Sequence, residues 1–228
     1  MSLITSLDLS IRSEIVQALQ SLAALGLNKG SSGNISVRAD VGFYISPTGL
    51  GYADMTPQQI VLLNWDGSYQ GDILPSSEWR FHRDILVERP ELKAVVHTHA
   101  AHATAVSVLG HDIPAIHYMV AAAGGNNIRC ARYETFGSAE LGQSILLALR
   151  GRGACLMAHH GMIAADTSLA RAMALAVTVE EMAQLYLLVL AFGAPKLLSD
   201  EEMARVLEKF RTYGQQARAA QETRRQAT

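Results

Sequence analysis

The chain is poor in charge and in aromatic rings. Only 18% of its 228 residues are Asp, Glu, Lys or Arg, and 6% are Phe, Trp or Tyr. Globular domains usually carry ~25% charged residues, so part of this surface is expected to be covered in an oligomer. The formal net charge is −2 and the Lys and Arg residues are scattered. Without a basic block or aromatics interleaved with cations, nucleic acid is a poor fit as a partner. Cysteine is scarce as well: Cys130 and Cys155 stand in no CxxC spacing. Free buried thiols in a reducing cytoplasm are expected rather than a disulfide. Residues 1–10 carry neither a basic n-region nor an apolar h-region, so no secretory signal is read there. One apolar run, 169–192, is long enough to raise the question of a membrane. Arg171, Glu180 and Glu181 interrupt it, and charge is costly in a bilayer. A buried core helix is predicted instead.

What is abundant is apolar side chain, 49% of the sequence, enough to fill a large core. No internal repeat, low-complexity segment or linker divides the chain, so 1–228 reads as one domain, with a frayed polar tail from about 215. Helical spacing predicts helices over 11–25, 79–89, 100–109, 138–149, 169–192 and 199–211. Serines stand as caps before the second, with Pro90 closing it. Short apolar strands are read at 35–38, 43–45, 60–63, 94–97 and 154–157, with a hairpin turn at Asn64-Trp65-Asp66-Gly67. The irregular alternation lacks the repeat of a parallel sheet. It predicts an α/β domain with a mostly antiparallel sheet flanked by helices.

The most informative residues are His97-Thr98-His99, which close the apolar run Ala94-Val95-Val96. Residues two apart on a strand share a face, so two imidazoles stand side by side on rigid backbone, half of a tetrahedral metal site. Candidates for the rest are His159, His160, Glu78, His82, His102, His111 and His117. His160 ends an apolar strand before a glycine. If its strand, 154–157, pairs with the His97 strand, three imidazoles meet at one sheet edge. Spacing alone does not separate His159 from His160. Glu78 sits at a helix start, where the dipole favours a carboxylate. Three His and one Glu suit zinc, and a carboxylate released by a competing substrate oxygen becomes available as a base.

Three segments are rich in small, hydroxylated or amide residues: 30–34, Pro47-Thr48-Gly49 and Ser76-Ser77. Taken singly they are turns and a serine cap. Together, with Ser76-Ser77 abutting Glu78, they form an anion-binding surface beside the metal site.

Several motifs are similar to those of the class II aldolases that act on short sugar phosphates. They are Gly-Leu-Asn-Lys-Gly-Ser-Ser-Gly-Asn-Ile-Ser-Val-Arg (26–38), Ile-Ser-Pro-Thr-Gly (45–49), Pro-Ser-Ser-Glu-Trp-Arg-Phe-His (75–82), Ala-Val-Val-His-Thr-His-Ala (94–100) and His-His-Gly (159–161). Ile-Pro-Ala-Ile-His-Tyr-Met (113–119), Ala-Ala-Gly-Gly (122–125) and Lys-Phe-Arg-Thr-Tyr-Gly (209–214) are narrower and resemble the branch that cleaves L-fuculose 1-phosphate. The likeness runs from about Arg12 to Tyr213. It implies a single zinc ion held by His97, His99 and His160, with Glu78 as fourth ligand. It puts Asn34, Thr48, Gly49, Ser76 and Ser77 on the substrate phosphate. Tyr118 and Tyr213 fall at the aldehyde end, and Phe136 on the wall of that pocket. A homotetramer with active sites between subunits is also implied. Ser31 stands where the family favours threonine and keeps the hydroxyl.

The activity so implied is reversible retro-aldol cleavage of L-fuculose 1-phosphate to dihydroxyacetone phosphate and L-lactaldehyde, with Glu78 as base and Tyr118 as proton donor to the aldehyde oxygen. L-ribulose-5-phosphate 4-epimerase and sugar-phosphate dehydratases share the scaffold; aspartate is expected after the two serines in the epimerases, whereas this chain has Glu78. A non-catalytic domain like the adducin head is the rival of a different class, disfavoured because all four candidate ligands are present.

Overall fold

The computed structural model of the chain describes residues 6–212. The first helix, α1 (Ser6–Ala24), is followed by strands β1 (Asn34–Arg38), β2 (Gly42–Ile45) and β3 (Val61–Asn64), then α2 (Trp79–Glu88), β4 (Ala94–Thr98) and α3 (Ala101–Val108). A 3-10 segment (Tyr118–Ala123) precedes β5 (Arg129–Ala131), α4 (Ala139–Ala148), β6 (Ala154–Met157), β7 (Gly161–Asp166), α5 (Leu169–Leu190) and α6 (Asp200–Thr212).

The seven strands form one sheet in the order β3-β2-β1-β4-β7-β6-β5. Every pairing is antiparallel except β5 with β6. This is the single α/β domain with a mostly antiparallel sheet that the sequence pattern predicts. Side chains alternate across the sheet into two cores. Ala94 and Val96 of β4 face a core shared with Ile15, Leu19 and Leu22 of α1, Val106 of α3 and Val179 of α5. Val95 faces the other, with Phe81, Ile85 and Leu86 of α2 and Ile145 of α4. Because both faces are covered, all residues of β4 and β6 are buried, and those strands read as unbroken apolar runs rather than alternations.

β5 and β7 escaped the sequence pattern, β7 because Gly-Met-Ile-Ala-Ala-Asp carries neither alternation nor β-branched enrichment. The expected pairing of the His97 strand with strand 154–157 is therefore incorrect: β7 lies between β4 and β6. His160 reaches His97 from the tight turn at 158–160 that joins β6 to β7.

Two further expectations are adjusted. No side chain caps the N-cap residue of α2, which is Glu78 itself; the Glu78 N–H instead donates to Ser76 Oγ (3.3 Å). The long apolar helix α5 is apolar enough and long enough to cross a membrane, yet it buries one stripe, Leu169, Ala172, Leu175, Ala176, Val179, Met182, Ala183 and Tyr186, at the helical spacing of a face packed on a sheet. Three other helices begin at a serine cap: Ser138 Oγ accepts from Leu141 N, Ser168 Oγ from Arg171 N and Ser199 Oγ from Glu202 N. Neither cysteine is in a disulfide; Cys155 is buried and Cys130 half-buried.

Candidate metal centre and active site

The site grows from the register between β1, β4 and β7. Asn34 lies opposite His97 across the β1–β4 ladder, and His97 opposite Ile163 across β4–β7. Two glycines permit the close approach. A Cβ on Gly33, whose φ is +78°, would sit 2.6 Å from the His97 carbonyl oxygen, and one on Gly161 would sit 2.4 Å from the Thr98 carbonyl oxygen. Both obstacles are backbone, so neither position accepts a side chain without a shift in the strands that carry the histidines.

His97, His99 and His160 present one nitrogen each, all within 4.8 Å of one another. Their rings pack nearly edge to face, with centroids 4.9, 4.9 and 5.0 Å apart. His97 is buried, His160 half-buried and His99 exposed, so the cluster opens on one side. His97 Nδ1–H donates to the Met162 carbonyl (2.9 Å), which leaves Nε2 with its lone pair directed at the cluster, as second-shell carbonyls do for metal ligands. The His99 backbone N–H donates to Asn28 Oδ1 (2.9 Å).

Glu78 completes the group. Its Oε2 is 3.3 Å from His97 Nε2 and its Oε1 is 3.1 Å from His160 Nε2. Despite that proximity Oε1 is buried with no aligned hydrogen-bond donor. His97 Nε2 is also 3.0 Å from His99 Nε2. A proton on His99 relieves that last contact, but a bare imidazole nitrogen facing Oε2, and an orphaned Oε1, call for a shared positive charge. Leaving a buried carboxylate oxygen unsatisfied costs ~1–3 kcal/mol or more, whereas three imidazole nitrogens and a carboxylate are a natural tetrahedral donor set. The residues fit a divalent metal. Burial on its own raises the Glu78 carboxyl, but positive charge placed at the facing His97 and His160 outweighs it and holds the group well below the ordinary carboxylate range.

The other histidines lie outside the cluster, His111 exposed at the surface. His82 Nδ1 lies 2.7 Å from Ser36 Oγ and its Nε2 contacts Asn34 Oδ1. Burial, reinforced by nearby His97 and opposed by Glu78, pulls this imidazole down to about 3. His102 Nδ1 meets Glu180 (2.7 Å), and His117 Nδ1 accepts from Met119 N–H. His159 stands outside the cluster, its exposed ring edge-on to Tyr133 at 5.8 Å. It is the only non-glycine among the described residues with a positive φ, +56°.

His99, His160 and Glu78 line one end of a cleft of about 370 Å³, with His97 buried behind them. Its walls include Ser31, Asn34, Thr48, Gly49, Ser76, Ser77 and Phe136, so all three small-residue segments converge beside the metal ligands. Among the described residues, no Lys or Arg lines it. The Thr48 and Ser76 amides donate to the Leu74 and Ser46 carbonyls, and the hydroxyls of Ser31, Thr48, Ser76 and Ser77 are donors this surface can offer an anion. Tyr133 and Glu134, which gave no signal in the sequence, and His159, a candidate only as the alternative metal ligand to His160, also line the cleft. Tyr118 does not: half-exposed at 50%, it lines a separate groove of about 600 Å³ with Ile116, Met119, Val206 and Phe210. Tyr213 lies outside the described residues.

With this geometry in hand, the comparison with known families is decisive: the model for the class II aldolase and adducin N-terminal domain matches residues 13–187. The chain belongs to that family. It is 53% identical over 209 residues to the 5-methylthioribulose-1-phosphate/5-deoxyribulose-1-phosphate aldolase of Rhodospirillum rubrum, covering 92% of this chain and 95% of that protein. It is 52% identical over 202 residues to the L-fuculose phosphate aldolase of Escherichia coli, covering 88% and 94%. A solved L-fuculose 1-phosphate aldolase superposes with a TM-score of 0.87 at 35% identity, covering 92% of this chain and all of that one. As a member of the class II aldolase family the chain is supported as a lyase that uses a metal, and its His97, His99 and His160 cluster fits one.

Proposed function

We propose that the protein is a zinc-dependent aldolase that cleaves a ketose 1-phosphate, with L-fuculose 1-phosphate as the substrate, to dihydroxyacetone phosphate and L-lactaldehyde. The observation that carries this reading is the Glu78 carboxylate held between His97 and His160 at the floor of a hydroxyl-lined cleft. Zinc held by His97, His99, His160 and Glu78 supplies a Lewis acid that polarises the substrate carbonyl and hydroxyl oxygens. Among the described residues no lysine lines the cleft, and the reading needs no Schiff base.

The protein's own groups divide the remaining work. Ser76 Oγ accepts from Asn34 Nδ2 and from the Glu78 N–H, which leaves its own proton to donate to a phosphate oxygen. Ser77, Thr48 and Gly49 border the same end and fix the substrate at a point remote from the reacting carbons, where binding energy is converted into orientation. In the synthetic direction Glu78, once free of its imidazole neighbours, takes the proton from the hydroxymethyl carbon of dihydroxyacetone phosphate; in cleavage it returns it. Tyr118 gives the aldehyde oxygen its proton, and Tyr213 closes the site. Since Tyr118 lies in a different groove from Glu78, this role goes with a homotetramer in which each Tyr118 serves a neighbour's cleft.

The Rhodospirillum rubrum relative, at 53% identity, supports a second substrate, 5-methylthioribulose 1-phosphate or 5-deoxyribulose 1-phosphate. Retro-aldol cleavage between the third and fourth carbons releases dihydroxyacetone phosphate from any of the three, so one assay compares them. Dihydroxyacetone phosphate release is coupled to NADH oxidation, with and without chelator. The expected outcome is fastest release from L-fuculose 1-phosphate, abolished by chelation and restored by zinc. Faster release from a 5-deoxyribulose would reassign the substrate within the same chemistry. No release from any of them by zinc-loaded protein would refute the aldolase reading and turn attention to L-ribulose 5-phosphate.

A further inference from the structure

We propose that Ser36 and His82, neither of which lines the cleft, are positioning residues that aim the Glu78 carboxylate through the side chain of Asn34. Asn34 and Ser36 are two apart on β1 and point to the face covered by α2, which carries His82 one turn after Glu78. Asn34 Nδ2 is 2.9 Å from Glu78 Oε2 and 3.0 Å from Ser76 Oγ. On the other side of the amide, Oδ1 meets His82 Nε2, and His82 Nδ1 meets Ser36 Oγ at 2.7 Å.

The proton positions along this chain follow from one fact: an ionised carboxylate only accepts. The Asn34 atom facing Glu78 is therefore the amide nitrogen, and the oxygen faces His82. That oxygen only accepts, so His82 Nε2 carries the hydrogen. A neutral imidazole has a single N–H, so Nδ1 is bare and the Ser36 hydroxyl donates to it. Both hydrogens of the Asn34 amide are committed, one to the base and one to the serine of the phosphate end. The whole chain is buried: Ser36 and His82 are 0% exposed, Asn34 4% and Glu78 8%. Water cannot substitute for a missing link, and Phe81, stacked on the His82 ring at a 4.7 Å centroid separation, holds the imidazole in place.

The consequence is directional. If His82 took the other tautomer, its bare Nε2 would face Asn34 Oδ1. The amide would flip to relieve that contact, setting an oxygen against the Glu78 carboxylate in place of a donor. Ser36, through the tautomer of His82, thus determines whether Glu78 is held or repelled. The kinetic part of this inference rests on the aldolase reading; the tautomer part does not.

The test compares Ser36→Ala, His82→Gln and His82→Leu with wild type by two readouts. Long-range 15N–1H NMR of the imidazoles reports the His82 tautomer without any substrate. Wild type is expected to show the Nε2–H form and Ser36→Ala a mixture; an Nδ1–H form in wild type would overturn the proposal. With L-fuculose 1-phosphate as probe, Ser36→Ala and His82→Leu are expected to lose about tenfold or more in kcat, the scale of second-shell substitutions, with little change in KM. Gln can place an amide N–H near the Nε2 position, facing Asn34 Oδ1, but has no counterpart of Nδ1, so His82→Gln is expected to recover part of the kcat that His82→Leu loses. Wild-type kcat in Ser36→Ala, or equal losses in His82→Gln and His82→Leu, would also overturn it. Should wild type fail to cleave the probe, the aldolase reading falls while the NMR readout still decides the tautomer. His82→Leu is the variant most at risk of misfolding, and the other two carry the test without it.

Discussion

At the scale of the residue, this site is governed by which groups are prevented from holding a proton. His82 is the clearest case, since burial pulls it down to about 3 from 6.5. Between those values the unfolded chain binds a proton that the folded one refuses, so stability rises with pH across the window. The contribution is full above about pH 6.5 and is lost as pH falls toward 3. Equilibrium urea unfolding of chelator-treated protein should therefore show stability falling from pH 6.5 to 4.5, with a slope that is shallower in His82→Gln by up to one proton, about 1.4 kcal/mol per pH unit. An identical slope in the variant would show that His82 is protonated in the native state and that the tautomer argument fails with it. The histidine cluster that fits a metal was the most legible part of the sequence at this scale, because a His-x-His closing an apolar strand constrains direction as well as identity. Ser36 was illegible for the opposite reason. A serine between Ile35 and Val37 looks like any polar residue on a half-buried strand, and only the register of β1 against α2 gives its hydroxyl a partner.

At the scale of the element, two strands and one turn decide the site. Helices and their ends were readable because caps and prolines act locally: Ser138, Ser168 and Ser199 each cap the helix that follows, and Pro90 closes α2. Pairing was not readable, because it depends on what lies across the sheet. β7 was overlooked, and with it the fact that His160 belongs to a turn rather than to the end of a paired neighbour. That turn depends on Gly161, where a Cβ would sit 2.4 Å from the Thr98 carbonyl oxygen and 3.1 Å from His99 Cδ2. Gly161→Ala must push β7 away from β4 at the point where His99 and His160 converge. The expected cost of such overpacking is ~1–3 kcal/mol, a fall in Tm of roughly 2–4 °C per kcal/mol at this size. Zinc affinity, read by competition with a chromophoric chelator, should weaken by about tenfold, the scale of other losses of ligand support. Gly51→Ala is the control, since a Cβ there meets nothing within 4 Å. Unchanged zinc affinity in Gly161→Ala would mean that the turn, and not the strand spacing, sets the position of His160.

At the scale of the whole molecule, the proposed base and the proposed proton donor stand in different clefts of one chain. Glu78 lies in the hydroxyl-lined cleft, whereas Tyr118, 50% exposed, lines a groove formed with the 3-10 segment and α6. Other large apolar side chains are also open to solvent, among them Leu188 at 57% and Phe192 at 93% around the end of α5. Together with the low charge content, this surface suits subunit contact. If each Tyr118 serves a neighbour's Glu78, the two defects complement one another. Glu78→Gln and Tyr118→Phe proteins should each be slow alone. After subunit exchange, mixed oligomers contain some clefts with an intact Glu78 facing an intact Tyr118, and activity should rise above that of either parent. Sedimentation velocity of the mixture establishes that oligomers are present when the assay is run. Recovery places the donor and the base on different subunits. No recovery in demonstrably mixed oligomers would return Tyr118 to its own chain or remove it from the chemistry, leaving the proton donor to be sought among Tyr133 and His159, which already line the Glu78 cleft.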